Sequence, residues 1–410
     1  MDELLDRFCR YVKVETTSAH DAVGCPSTPG QLELGRLIAE ELRGLGLADV
    51  GIDEYGLVTA TVPGNVEGAP TIAWLAHLDT SPDASGKGVQ PTIHRNYDGQ
   101  DIALAGDPSK VIRVAETDGL SELAGKTLIT SDGTTLLGAD DKAGAAVIMT
   151  AAATLMGDAA IEHGPIRVVF TVDEEIGQGT DRVDVAKLDA TCAYTLDGVG
   201  EGLIENETFS ADMATVTITG VSIHPGLAYG KMVNAIRVAS EFVDRLPRDM
   251  APETTEGRDG FLHVHTFEGN ASQVKLQILL RSFVTGELET QAGILRDAAK
   301  AVTDAHPGAE VQVRIKRSYR NMADSLARAP RTTALAVQAF QNIGVEPTFS
   351  SLRGGTDGAR LTEAGLPTPN LSTGMHNFHS PLEFACLEEM QTAVKMLLEL
   401  ARLWGAQAPA

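Results

Sequence analysis

The chain has 410 residues, of which 43% are hydrophobic and 22% charged. That is the balance of a soluble globular protein, and the length predicts two or three domains. A formal net charge of −23 would repel a phosphate backbone, and no Lys/Arg-rich run interleaved with aromatics offsets it, so no nucleic-acid partner is expected.

Met1 to Val14 alternates acidic and basic residues with Leu4, Leu5, Phe8 and Val12 and lacks the apolar stretch of a signal peptide. No segment approaches membrane-spanning length, so no membrane partner is expected. Cys9, Cys25, Cys192 and Cys386 show neither disulfide nor thiolate-zinc spacing, and a reducing cytoplasm is the expected compartment. Thr28, Pro29 and Gln31 read as a helix start with a capping-box partner, followed by the stripe Leu34, Leu37, Ile38, Leu42 and Leu45.

Thr71 to Ala76, Ile166 to Val172 and Cys192 to Leu196 read as buried strands, and Ala143 to Met156 as a helix between the first two. This order predicts an α/β sheet. From about Ser210 the pattern becomes a strand (214–219), a helix (235–246), two strands (261–267 and 273–283), a helix (287–305) and a strand (310–319). That β-α-β-β-α-β series predicts a small ferredoxin-like sandwich inserted into the first domain. The expected division is therefore 1–209 with 321–410, and 210–320 as the insert. A C-terminal helix carries Leu387, Met390, Val394, Leu397, Leu398 and Ala401 on its apolar stripe.

Ionisable residues follow the apolar strands: His77 and Asp79, then Asp173-Glu174-Glu175, then Asp197. Open α/β sheets bind ligands at such carboxyl ends. His77 and Asp79 share a face of an extended chain, so the carboxylate can orient the imidazole. Asp140-Asp141 stands in a Gly-rich loop before a helix, where it can cap the helix or bridge two cations. Glu174-Glu175 offers one carboxylate for a metal and one to accept a proton from water. With His379 these residues form an N/O donor set without thiolate, which suits zinc, cobalt or manganese in an open hydrolytic site.

The words Ala76-His77-Leu78-Asp79-Thr80, Leu136-Leu137-Gly138-Ala139-Asp140-Asp141-Lys142-Ala143-Gly144, Asp173-Glu174-Glu175-Ile176-Gly177, Tyr194-Thr195-Leu196-Asp197-Gly198 and Arg353-Gly354-Gly355-Thr356-Asp357-Gly358-Ala359 resemble the dinuclear-zinc exopeptidases. His224-Pro225-Gly226 and Gly230-Lys231-Met232-Val233-Asn234-Ala235 resemble the peptidase T branch of that family, and the likeness runs over almost the whole chain.

The resemblance implies a catalytic domain with a mixed, mostly parallel sheet flanked by helices and a lid domain that is also a candidate dimerisation surface. It implies two Zn2+ ions, with Co2+ or Mn2+ as substitutes. Asp140 would bridge them, His77 and Asp197 would hold one, and Glu175 and His379 the other. Glu174 would be the general base and Asp79 the orienting partner of His77. A cis peptide is implied between Asp140 and Asp141. The chain departs from the family pattern at Pro381-Leu382, where a further His is common.

The implied activity is removal of the N-terminal residue from short peptides, chiefly tripeptides. His224 is then a candidate donor to the developing oxyanion. Arg281 and Arg353 are candidates to grip the peptide's C-terminal carboxylate. Asn234 can bond the substrate backbone or simply cap a helix. The rival activities are an amidase or carboxypeptidase acting on N-acyl amino acids or dipeptides, and a noncatalytic binding domain on the same scaffold. Neither G-x-G-x-x-G nor G-x-x-x-x-G-K-[ST] occurs, which argues against a nucleotide enzyme.

Overall fold

A computed structural model describes residues 2–407. The chain divides into two compact units: residues 1–206, 324–350 and 356–410 in the first, and 207–323 with 351–355 in the second. The short stretch 351–355 lies in the part of the sequence expected to belong with the first domain.

The heart of the first unit is a sheet whose strands run in the order 48–52, 58–62, 166–171, 72–77, 192–199, 370–376, 384–386, 128–130, 92–94. The four strands 166–171, 72–77, 192–199 and 370–376 pair in parallel, and Ile72–His77 is buried along its whole length. Continuous burial is what the unbroken apolar runs require, because both faces of a parallel sheet are covered. Val58–Val62 adds to this core antiparallel, against Ile166–Thr171.

The helix Ala139–Gly157 begins four residues earlier than the apolar run suggests and is buried on nearly every side. It packs against the helices Asp2–Tyr11 and Leu387–Gly405 as well as the sheet, which explains why it carries no polar face. Gly144 sits where this helix meets the strand Cys192–Val199: a Cβ there would stand 1.8 Å from the carbonyl oxygen of Leu196.

The helix Pro29–Gly44 starts as expected, with Thr28 at the N-cap and Pro29 in the first turn. The expected capping box does not form. Gln31, fully buried, instead donates from Nε2 to Asp173 Oδ1 at 2.7 Å and accepts the Asp173 N–H at 3.0 Å. A buried carboxylate is a stronger partner than a neutral backbone amide near the surface.

The second unit is a four-stranded antiparallel sheet in the order 261–269, 273–282, 210–219, 310–319. The helices Ala235–Asp244 and Glu287–Ala305 close its core, with Val216, Ile218, Ile278, Leu280, Phe242 and Leu295 at its centre. The β-α-β-β-α-β succession and strand order are those of the ferredoxin-like sandwich.

Candidate metal centre

Five side chains from separate stretches of the first unit meet beyond the carboxyl ends of the parallel strands. His77, 3% exposed, closes its strand. Its Nε2 lies 2.9 Å from Asp140 Oδ1 and 3.7 Å from Asp197 Oδ1. The other oxygen of Asp140, Oδ2, lies 3.3 Å from His379 Nε2, which stands 2.8 Å from Glu175 Oε2. Asp140 thus turns one carboxylate oxygen toward each imidazole.

The local backbone explains how each group is aimed. Asp140 and Asp141 depart from helical φ/ψ, and the peptide between them is cis. Gly138 just before them has φ +84°, a conformation that glycine adopts without steric cost. Asp173, at φ +62°, is pinned by the N–H and hydroxyl of Ser27 and by Gln31, and this turns Glu174 and Glu175 back over the strand ends. Asp197 is fixed by its N–H, which donates to Asn370 Oδ1 at 3.0 Å. His379 itself has φ +60°, a region where histidine is uncommon and which a surrounding structure must enforce.

Asp79, fully buried, stands behind His77. Its backbone oxygen lies 3.1 Å and its Oδ1 3.4 Å from His77 Nδ1. The same carboxylate accepts the N–H groups of Glu174 and Glu175. His379 is flanked similarly, with Asp83 Oδ2 3.2 Å from its Nδ1.

The crowding of carboxylates sets the protonation of the cluster. Burial pushes Glu175 up to about 8 and Asp197 up to about 7, with the charge of Asp140 adding to each. Burial likewise raises Glu174 well above the usual carboxylate range. Burial alone would lower the two histidines, but their carboxylate neighbours win: Asp140 and Glu175 hold His379 up to about 11, and Asp140, Asp197 and Asp79 hold His77 well above its ordinary value. The crowded carboxylates favour positive charge in their midst, as the raised histidines show.

These donors fit a metal. They are nitrogen and oxygen only, as in the zinc sites of many hydrolases. Glu175 Oε1 is buried with no hydrogen-bond partner among the described residues, an atom that a cation would satisfy. His77, Asp140 and Glu175 lie close enough to share an ion, as do His77, Asp141 and Asp197. Both Asp141 oxygens already accept backbone N–H groups, from His77 and Gly144, each at 3.1 Å, so Asp140 is the better donor.

Sequence reasoning left several contributors without a role. Glu383, 1% exposed, accepts three backbone N–H groups of the loop that carries Asp140. Asp357, 6% exposed, accepts the Thr171 hydroxyl at 2.6 Å, and burial pushes it up to about 6. The motif Gly354-Gly355-Thr356-Asp357-Gly358 was a signal for it, whereas Glu383 had none beyond its neighbourhood to His379.

The four expected substrate residues all belong to the second unit. His224 is exposed, and its Nδ1 accepts the Gly226 N–H at 3.2 Å. Asn234 caps the helix Ala235–Asp244, accepting the Ile236 N–H at 2.9 Å. Arg281 lies over the Tyr319 ring and donates from Nη1 to the carbonyls of Leu280 and Asp212. Arg353 engages both terminal nitrogens within its own unit: Nη1 with the carbonyls of Gly257 and Asp259, and Nη2 with the carbonyl and hydroxyl of Thr255.

Residues 130–403 match the model of peptidase family M20/M25/M40. The chain is 44% identical over 404 residues to peptidase T of Listeria monocytogenes, covering 98% of each chain. It is 43% identical over 403 residues to peptidase T of Geobacillus thermodenitrificans, again covering 98% of each. The crystal structure of aminopeptidase PepT from Bacillus cereus shares the fold, with a TM-score of 0.76, 24% identity and 99% of each chain covered. Sequence matches over nearly the full length, on a fold whose strand ends gather this N/O cluster, identify the chain as a member of peptidase family M20/M25/M40.

Proposed function

We propose that this chain is a cytoplasmic zinc aminopeptidase that removes the N-terminal residue of tripeptides. The observation that carries the proposal is the Asp140 carboxylate, with one oxygen 2.9 Å from His77 Nε2 and the other 3.3 Å from His379 Nε2. A carboxylate so placed suits two cations, with His77 and Asp197 completing one ligand set and Glu175 and His379 the other. Full-length likeness to proteins named peptidase T favours this over the amidase and carboxypeptidase rivals. No helix among the described residues is long and apolar enough to cross a membrane.

Bound there, the cations would supply Lewis acidity toward the scissile carbonyl and lower the pKa of water. Glu174 accepts the proton of the attacking water and returns it to the leaving amine. Its burial raises its proton affinity, as a group that must serve as base and then acid requires. Asp79 keeps His77 in one orientation and, through the Glu174 N–H, sets the base relative to it.

Substrate recognition falls to the second unit in this proposal. His224 donates to the developing oxyanion, Asn234 bonds the peptide backbone, and Arg281 and Arg353 meet the C-terminal carboxylate. The engagement of both Arg353 terminal nitrogens with backbone carbonyls favours Arg281 for the carboxylate. Metal-stripped protein assayed on tripeptides, dipeptides and N-acyl amino acids, with single metals added back, tests the proposal. Zinc-restored turnover of tripeptides supports it; preferential turnover of N-acyl amino acids overturns it.

A further inference from the structure

Glu383 is a buried carboxylate that the proposed chemistry does not use. Its Oε2 accepts the N–H groups of Leu137 at 2.8 Å and Gly138 at 2.7 Å, and its Oε1 accepts the N–H of Asp140 at 3.0 Å. The left-handed turn at Gly138 is what lets near-neighbour amides converge on one anion, as in other backbone anion nests. The side chain of Glu383 therefore grips the loop that ends in Asp140, by the N–H of Asp140 itself.

The backbone of the same residue belongs to the His379 turn. The Glu383 N–H donates to the Ser380 carbonyl at 3.1 Å, and the Ser380 hydroxyl donates to the Asn377 carbonyl at 2.9 Å. The turn spans Asn377 and His379, which both hold positive φ. One residue thus closes the turn that aims His379 and anchors the loop that aims Asp140.

We propose that Glu383 is a positioning residue for the metal centre, a clamp that sets Asp140 and His379 relative to each other. This rests on the functional proposal above. Attraction of the cations is not its part, because its charge is already engaged by three amides and the site has a surplus of carboxylates. What Glu383 supplies is geometry, which is costly to lose: partners behind metal ligands contribute about 10–100-fold to metal affinity.

The test is zinc affinity, measured by competition with a chromophoric chelator on stripped full-length protein, together with the visible spectrum of the cobalt-loaded form. Glu383→Gln is isosteric but turns an NH2 group toward at least one of the three amides. We expect zinc affinity to fall about 10–100-fold and the cobalt bands to shift. Glu383→Asp keeps the charge but withdraws the carboxylate by one methylene, and should show the same loss; it also carries the test if the Gln variant does not fold.

Wild-type affinity and cobalt bands in Glu383→Gln would overturn the clamp. So would full rescue by Glu383→Asp, which would assign the residue a purely electrostatic part. Failure of the unaltered stripped protein to take up zinc would instead overturn the functional proposal, and this inference with it.

Discussion

Asp79 Oδ1 accepts the backbone N–H of Glu174 at 3.0 Å while standing 3.4 Å from His77 Nδ1. The orientation of the imidazole proposed to hold a metal and the position of the proposed base are thereby set by one buried carboxylate. Asp79→Asn keeps the shape but presents an NH2 group to either the imidazole or an amide of Glu174-Glu175. Zinc affinity should fall about 10–100-fold, and turnover at saturating zinc should fall as well. Unchanged turnover in zinc-saturated Asp79→Asn would show that the base is positioned by other means.

Glu174 and Glu175 are neighbours that should fail differently. Glu174→Gln should retain zinc while turnover drops about 100- to 10,000-fold, the usual contribution of a general base. Glu175→Gln should lose zinc affinity, because its Oε2 contacts His379 and its buried Oε1, without a hydrogen-bond partner among the described residues, is free for a cation. Metal content and kcat measured on both variants check this. Loss of zinc in the first and retention in the second would exchange their roles.

Anomalous scattering from zinc-loaded crystals should show two ions about 3.5 Å apart, with Asp140 between them. Asp140→Ala should remove both. A single ion, or a pair with no Asp140 contact, would contradict the bridging assignment.

On the proposed function, an arginine gripping the C-terminal carboxylate would make the enzyme a ruler for short peptides. Amidating the C-terminus of a good tripeptide should leave the arginine unpaired at a cost of about 1–3 kcal/mol, lowering kcat/KM by roughly one to two powers of ten. Arg281→Ala should abolish the difference between free and amidated forms. Arg353→Ala should act first on stability, lowering the thermal midpoint, because it strips donors from the carbonyls of Gly257, Asp259 and Thr255. Equal cleavage of both forms by the unaltered enzyme would remove the ruler.

Glu207 gives a pH signature within the second unit. Hydrogen bonds from Arg258, and to a smaller degree from Ser351 and Asn321, outweigh its partial burial and hold it down to about 2 against an ordinary 4.5. A depressed carboxylate stabilises the fold above its unfolded pKa, and that contribution is lost as pH falls from about 4.5 toward 2. Solvent screening keeps the effect small, since Glu207 is only half-buried and its partner Arg258 is exposed. Glu207→Gln should therefore lower the thermal midpoint slightly at pH 7, and the gap from the unaltered protein should close as the pH approaches 2. A gap that is constant with pH would deny the ion pair its role.

The sequence by itself determined the elements whose signals are local. Unbroken apolar runs announced the parallel strands around His77 and Asp197, because burial on both faces leaves no polar alternation to confuse the pattern. The β-α-β-β-α-β series announced the second unit, because its periodicities switch at each element. Side chains at strand ends were legible for the same reason at His77, Glu175 and Asp197, whereas Asp140 was read from its Gly-rich loop and His379 from its place beside the other donors, and the motif words around them resembled those of the metal-binding family.

The tertiary structure decided what depends on loops meeting. Glu383 lies 243 residues from Asp140 in the chain, and an acceptor for backbone N–H groups leaves no trace in side-chain spacing. Gln31 reads as a cap residue, yet burial beside Asp173 gives it a stronger partner. Residues 351–355, and Arg353 with them, join the second unit because the guanidinium finds its carbonyls there. Periodicity records which face of an element is buried; which distant polar group satisfies a buried donor is chosen only when the chain has packed.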